Sequence, residues 1–277
     1  YYRLPGRSVL PLSVDPERLW GWTDVSVSFQ NIAVRLGGKQ ILDGVSLETR
    51  EGRVTGIVGP NGSGKSTLIK TLFGIAHKES GDIFLKGANI SALSRRQIAR
   101  QVGYVGQETS CVFDFTVTEV VEMALYNRRG GSRKIVEAAL EELGISHLAH
   151  NSILTLSGGE RKMVFLARAI AQGADTIILD EPTNHLDIQH QMFILDYLKQ
   201  SGKTVLIVLH DLNMAALYCD ELYVLQQGKV VCSGPPSQVL TTELIREVYR
   251  VDAEMFTDAD GLLRVLYHPA PISGTTA

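Results

Sequence analysis

The spacing of hydrophobic residues along this chain changes period several times, and each change marks a different kind of element. From Val25 onward apolar residues alternate with polar ones or cluster in short runs, at Val25, Val27 and Phe29 and again at Ile41, Leu42, Val45 and Leu47, with Gly37-Gly38 and Glu51-Gly52 between and after them as turn signals. This predicts an antiparallel β portion. A short apolar strand, Arg53 to Val58, then runs into a glycine-rich turn, and a helical pattern follows over Ser66 to Phe73. After Ile83-Phe84-Leu85 comes a helical pattern near Arg95 to Arg100 and a strand over Gln101 to Val105. Between Phe115 and Gly144 the spacing becomes three and four, through Val117, Val120, Val121, Ala124 and Leu125 and then Ile135, Val136, Ala139, Leu140 and Leu143, which predicts a helical insertion over about 108–160. Thr176 to Leu179, Thr204 to Leu209 and Glu221 to Leu225 are short β-rich runs separated by helix-length segments. Strands that alternate with helices imply a parallel sheet with its ligand at the carboxyl ends of the strands.

Composition narrows the class. The chain has 277 residues, 44 % apolar and 21 % charged, enough for a sizeable core in one large or two small domains of an ordinary soluble globular protein. A formal net charge of −3 gives no sign of a nucleic-acid partner. Cys111, Cys219 and Cys232, an odd set without C-x-x-C spacing, read as buried small apolar residues in a reducing compartment rather than as a disulfide or zinc framework. No apolar run approaches the length of about 20 residues that spans a bilayer, so a membrane role would come through a partner. Residues 1–22 carry no motif and read as an irregular extension, and 269–277 as a disordered tail.

Gly59-Pro60-Asn61-Gly62-Ser63-Gly64-Lys65-Ser66-Thr67 fits G-x-x-x-x-G-K-[ST], with the strand before it and the helix behind it that this motif requires. Gly62 and Gly64 have no Cβ, so the backbone can wrap closely round an anion and aim successive N–H groups, with the positive end of the next helix, at phosphate oxygens. Lys65 supplies a mobile charge for the β- and γ-phosphates, and the Ser66 hydroxyl completes the shell of a magnesium ion that keeps several waters. The motif says that this chain grips a nucleoside triphosphate. The expected fold is α/β, a phosphate-loop NTPase core with a mostly parallel sheet, an N-terminal antiparallel β subdomain and an inserted α-helical subdomain, together spanning 23–268.

Two acids, Asp180 and Glu181, close the strand Thr176 to Leu179. Beside a phosphate loop the first carboxylate holds magnesium through water, and the second orients and deprotonates an attacking water. Leu156-Ser157-Gly158-Gly159-Glu160 opens a helix with a capping box, Ser157 to Glu160. A capping box does not call for two glycines, and the pair Gly158-Gly159 predicts a second anion site, with exposed N–H groups and a free Ser157 hydroxyl.

The ordered set of phosphate loop, Gln107 after a strand, Leu156 to Glu160, Asp180-Glu181, Asn184-His185-Leu186-Asp187 and His210 after Val205 to Leu209 resembles the ATP-binding cassette (ABC) ATPases over roughly Val25 to Pro269. The resemblance implies two cassettes paired head to tail, each ATP lying between the phosphate loop of one and Ser157, Gly158, Gly159 and Glu160 of the other. It implies Glu181 as general base, His210 on the γ-phosphate and attacking water, Gln107 touching magnesium and relaying the state of the site, and Asp187 bridging the two copies. Adenine usually stacks on an aromatic residue before the loop; here that place falls on Leu36, with Phe29 as a possible substitute, and modest base selectivity is expected. Glu160 stands where Gln is commoner, and as a capping partner either serves.

The segments Asn184 to Gln191, His210 to Ala216, Gly228-Lys229-Val230 and Gly234-Pro235-Pro236 look most like importers of iron chelates, haem or cobalamin. This implies a homodimer at the cytoplasmic face of a membrane, docked under a permease through the helical subdomain and the segment after Gln107, and fed by an extracytoplasmic substrate-binding protein. Arg128, Arg129, Arg133 and Lys134 read as a solvated charged face, with a face toward the permease or lipid headgroups as the alternative. Zinc, manganese or molybdate import, and export, stay open. DNA-repair cassettes would carry a long coiled-coil insertion, translation cassettes two phosphate loops, and a nucleotide kinase no Leu156 to Glu160.

Overall fold

The computed structural model describes residues 24–107, 113–128 and 130–268; the extension 1–22, the tail 269–277, Cys111 and Arg129 lie outside them. Strand β1 (Val25–Leu36) turns at Gly37-Gly38 into β2 (Lys39–Arg50), and β3 (Val54–Val58) leads to helix α1 (Lys65–Leu72). Next come β4 (Ser80–Leu85), the short β5 (Ala88–Asn89), α2 (Arg95–Gln101) and β6 (Val102–Val105). Helices α3 (Val117–Glu122), α4 (Arg133–Glu142) and α5 (Gly158–Ala171) precede β7 (Thr176–Asp180), α6 (Ile188–Gln200), β8 (Thr204–Val208), α7 (Leu212–Tyr218) and β9 (Glu221–Gln226). The chain ends through β10 (Lys229–Gly234), α8 (Pro236–Val239), α9 (Thr242–Tyr249) and the hairpin β11 (Asp252–Thr257) with β12 (Leu263–His268).

Two sheets carry the fold. The first is antiparallel, in the order β2-β1-β4-β5, and the second runs β10-β9-β3-β8-β7-β6. In the second, β9, β3, β8, β7 and β6 are parallel, and only the edge strand β10 runs against its neighbour. Every residue of β3, β7 and β8 is buried. That is why their sequences are near-continuous apolar runs, since both faces of a parallel sheet are covered. The strand period sorts them by face. Ile57, Ile178, Leu206 and Val208 pack with α1 and the antiparallel sheet. Val58, Ile177, Leu179, Val205 and Ile207 pack with the helices from α3 to α7.

Several sequence expectations shift. Gln101 ends α2, and β6 starts at Val102, where the backbone turns extended. Phe29 is fully buried in the core beneath the antiparallel sheet, so it cannot stack on a base in place of Leu36. Cys219 is buried, but Cys232 is only half-buried on edge strand β10. Arg128 is not simply solvated: its Nη1 donates to the Ala171 carbonyl at 2.9 Å and ties the end of the helical region to α5. Arg133 pairs with Glu137 at 3.4 Å on the open face of α4. Among the described residues no helix is long and apolar enough to cross a membrane.

Candidate functional site

Parallel register brings the carboxyl ends of three strands to one edge. Ile57 pairs with Val208, and Val208 with Asp180, so the turn after β3, the acids ending β7 and the residues after β8 lie side by side. Gln107 follows β6, the next strand in the sheet.

The turn Gly59 to Gly64 is held in left-handed backbone. Gly59, Gly62 and Gly64 have φ of 146°, 77° and 105°. At Gly59 an added Cβ would meet the Leu225 carbonyl oxygen at 2.0 Å, and at Gly64 it would meet the Leu42 side chain at 2.5 Å. Asn61 and Gly62 are exposed at the rim, and Ser63 is buried with its hydroxyl unpartnered. Helix α1 begins at Lys65 with no side-chain cap and no acid in its first turn. Its orphan N–H groups and dipole therefore remain available to an anion. Lys65 is 4 % exposed and donates to the carbonyls of Gly59 at 2.8 Å and Pro60 at 3.0 Å. Burial pushes its pKa down, opposed by the charges of Glu181 and Asp180. Ser66 and Thr67 follow on the first turn of α1, both half-buried.

The Ser66 hydroxyl donates to Asp180 Oδ1 at 2.7 Å. Asp180 is fully buried, and its Oδ2 has no partner. Burial pushes its carboxyl up, against the Ser66 hydrogen bond. An unpartnered buried carboxylate oxygen beside a hydroxyl suits a hard cation that binds through one or two protein oxygens and keeps its waters. The residues present thus fit magnesium.

Glu181, 8 % exposed, has φ 54° and sits at the centre of a polar cluster. Its Oε1 lies 2.6 Å from His210 Nε2. Its Oε2 accepts from Gln107 Nε2 at 2.8 Å and Asn184 Nδ2 at 2.6 Å. The three residues come from three different strand ends or the loop after them, which only the sheet topology brings together. Behind them Lys162 donates to the main-chain carbonyls of Glu181 at 3.1 Å and Gln107 at 3.3 Å. Sequence reasoning missed Asn184 as a partner of this carboxylate and missed Lys162 altogether. The available signal for Lys162 was its place on the apolar stripe of its helix, with Met163, Leu166 and Ile170.

The second glycine-rich helix start is built as a full capping box. Ser157 N–H donates to Glu160 Oε2 at 2.8 Å, and Glu160 N–H donates to Ser157 Oγ at 3.2 Å. The Ser157 hydroxyl is not free as expected, because it also gives its proton to Glu160 Oε2 at 2.8 Å. The Ser157 N–H and hydroxyl hold the Glu160 carboxyl below its usual range. Gly159 has a packing reason to be glycine, since an added Cβ would meet the His190 ring at about 3.0 Å. Gly158 has only the His185 carbonyl near it, at 3.9 Å. Asp187 caps α6 by accepting from His190 N–H at 2.9 Å and also meets His190 Nδ1 at 2.8 Å. Leu36, at the end of β1, is 48 % exposed.

The sequence profile of the ABC transporter family matches residues 42–184, from Leu42 on β2 to Asn184. This chain belongs to the ABC transporter ATPase family. The cassette is 35 % identical over 244 residues to the iron(3+)-hydroxamate import ATP-binding protein FhuC of Bacillus subtilis, covering 84 % of this chain and 91 % of that one. It is 36 % identical over 277 residues to the hemin import ATP-binding protein HmuV of Streptomyces coelicolor, covering 97 % of each. Among solved structures, a dimeric ATP-binding cassette bound to ADP and phosphate superposes with a TM-score of 0.68 at 27 % identity, covering 76 % of this chain and 98 % of that one. The cassette is therefore an ATP-binding ATPase of the α/β fold expected from its sequence.

Proposed function

We propose that this cassette hydrolyses ATP to drive import of a metal chelate, an iron–siderophore complex, haem or cobalamin, through a membrane permease. The observation that carries the hydrolytic reading is the Glu181 carboxylate held between His210 and Gln107 at the strand edge that also bears the phosphate loop. The import names of FhuC and HmuV support the cargo class.

In this reading the N–H groups of the turn 59–64 and α1 take the β- and γ-phosphates, and Lys65 leaves the Gly59 and Pro60 carbonyls to join them. Magnesium, held by Ser66 and Asp180 and touched by Gln107, would neutralise charge on the phosphates. Glu181 takes a proton from the attacking water. In the resting cluster its two oxygens are engaged by His210, Gln107 and Asn184. When the γ-phosphate and water draw His210 and Gln107 away, a lone pair opens.

Ser157, Gly158, Gly159 and Glu160 meet the nucleotide of a second copy, with the Ser157 hydroxyl turning from Glu160 to do so, and Asp187 bridges the copies. The ATPase domain spans 23–268, with the helical subdomain over about 108–160. The permease docks in the groove of about 370 Å³ between α2 and the turn after α3, where Arg95, Ile98 and Met123 line the wall and Tyr126 stands 85 % exposed nearby. The assembly lies on the cytoplasmic face of the membrane, with a substrate-binding protein delivering cargo from the other side.

Reconstitution with the permease in vesicles tests this: ATP-dependent accumulation of a ferric hydroxamate, haem or cobalamin is expected. Uptake of none of them, with zinc, manganese or molybdate carried instead, contradicts the cargo class. Lys65→Ala is expected to weaken ATP binding by roughly tenfold or more, the loss of one charge-assisted phosphate contact of about 1.5–3 kcal/mol. Titration with a fluorescent ATP analogue reads it, and unchanged affinity would remove Lys65 from the phosphate site.

With Leu36 in the place of an aromatic, GTP should be hydrolysed at a rate close to that of ATP. Leu36→Tyr should tighten ATP binding by roughly tenfold, since stacking on a base is worth about 1–3 kcal/mol. A strong ATP preference in the unaltered protein argues against this placement of the base.

A further inference from the structure

The charged residues Glu160, Arg161 and Arg168 of helix α5 are half-buried, but Lys162 is buried. It is 6 % exposed, and Nζ donates to two main-chain carbonyls, those of Glu181 and Gln107. Burial pushes its pKa down, and the charges of Asp180 and Glu181 act the other way. A methionine would fill the same space with less desolvation. It would not hold two carbonyls.

What those carbonyls belong to matters. Glu181 lies in the left-handed region at φ 54°, where a residue with a Cβ stays only when its surroundings over-determine it. Lys162 binds the carbonyl of that same residue. The other carbonyl is that of Gln107, whose side chain donates to the Glu181 carboxylate at 2.8 Å. One ammonium thus fixes the main-chain ends of a pair whose side chains meet at the reacting edge.

We propose that Lys162 is a positioning residue for ATP hydrolysis, setting the pose of the Glu181 carboxylate and the Gln107 amide from the seat of α5. Helix α5 starts at Gly158, directly after its N-cap Ser157. Any shift of this helix, whether from a nucleotide on a second copy or from a docked permease, moves the ammonium and with it both turns. The inference rests on Glu181 acting as the base, and adds the route by which the helical region reaches it.

The test compares purified wild type, Lys162→Met and Lys162→Gln for kcat, KM for ATP and melting temperature. Lys162→Met keeps the length and loses the donors. Its kcat should fall by roughly 10- to 100-fold, the scale on which misplacing a catalytic group by about 1 Å acts, with KM within about twofold because no phosphate contact is altered. Lys162→Gln restores an N–H donor on a shorter arm, and its kcat should lie between the two with the same KM.

A kcat for Lys162→Met within twofold of wild type overturns the proposal. So does a Lys162→Gln variant no better than Lys162→Met, or a lowered melting temperature with kcat intact. Should Lys162→Met fail to fold, Lys162→Gln decides: an intermediate kcat with unchanged KM supports the role, and wild-type kcat or a matching rise in KM overturns it. Glu181→Gln separates the two layers. If that variant hydrolyses ATP normally, the base assignment fails; if it is inactive while Lys162→Met is normal, only the positioning role fails.

Discussion

Glu181→Gln is expected to reduce ATP turnover by roughly 10²- to 10⁴-fold, the range over which a positioned general base acts. The amide fills the same space and can keep hydrogen bonds to Gln107, Asn184 and His210 after a flip, so folding should change little. What it loses is the negative charge and the capacity to take a proton. Binding of ATP should survive, because Glu181 is placed against the water and not among the groups of the turn 59–64. A coupled-enzyme assay reads the rate. Hydrolysis at the wild-type rate would move the base to another residue of the same strand edge, where His210 touches Glu181 at 2.6 Å and Asp180 is bonded to Ser66.

Gly59→Ala carries the second large effect, through packing rather than chemistry. Gly59 has φ 146°, and its missing Cβ faces the Leu225 carbonyl oxygen at 2.0 Å and the Ser63 hydroxyl at 3.1 Å. A methyl group must push the turn away from the end of β9 and also adopt a backbone region that only glycine favours. Backbone strain and overpacking each cost about 1–3 kcal/mol, so roughly 4 kcal/mol is expected, or a melting temperature lower by about 10 °C. Nucleotide affinity should fall with it, because Lys65 leans on the Gly59 carbonyl. Gly62→Ala is the internal control: φ is also positive, at 77°, but nothing lies within 4 Å of an added Cβ. It should melt much closer to wild type, and equal melting losses for the two variants would contradict this account of the turn.

Much of the architecture was legible in the spacing of apolar residues. The runs at Thr176 to Leu179 and Thr204 to Leu209 read as buried parallel strands because both their faces are covered. The phosphate loop was legible because its glycines answer a geometric demand. The hairpin of β11 and β12 was not. Its outer positions, among them Glu254, Phe256, Arg264 and Leu266, mix charge with apolar residues, and only Ala253 and Val265 are buried, so its alternation is faint. The side chain of Asn213 on α7 holds it, accepting from Val265 N–H and donating to the Val265 carbonyl. Nothing local in the sequence announces such a long-range contact.

The site divides in the same way. Residue types at fixed offsets pointed to the loop and the paired acids, because their chemistry requires those neighbours in the chain, and His210 came with the family resemblance. Contacts that depend on tertiary placement stayed hidden: Phe29 under the sheet, Arg128 on the end of α5, the Ser157 hydroxyl claimed by Glu160. Lys162 was the most informative omission. A lysine in a helix is usually read as a solvated residue, yet this one falls three residues after Gly159 and on the stripe with Leu166, a position where helical spacing places a buried side chain.

The central claim is that each nucleotide is enclosed by two copies of the cassette, with the turn 59–64 of one facing Ser157 to Glu160 of the other. Light scattering of Glu181→Gln protein, with and without ATP and magnesium, tests it most directly. The account predicts a monomer without nucleotide, a stable dimer with ATP, and monomer again with ADP. A Glu181→Gln protein that stays monomeric in ATP, at concentrations where the wild type hydrolyses ATP at full rate, would contradict it.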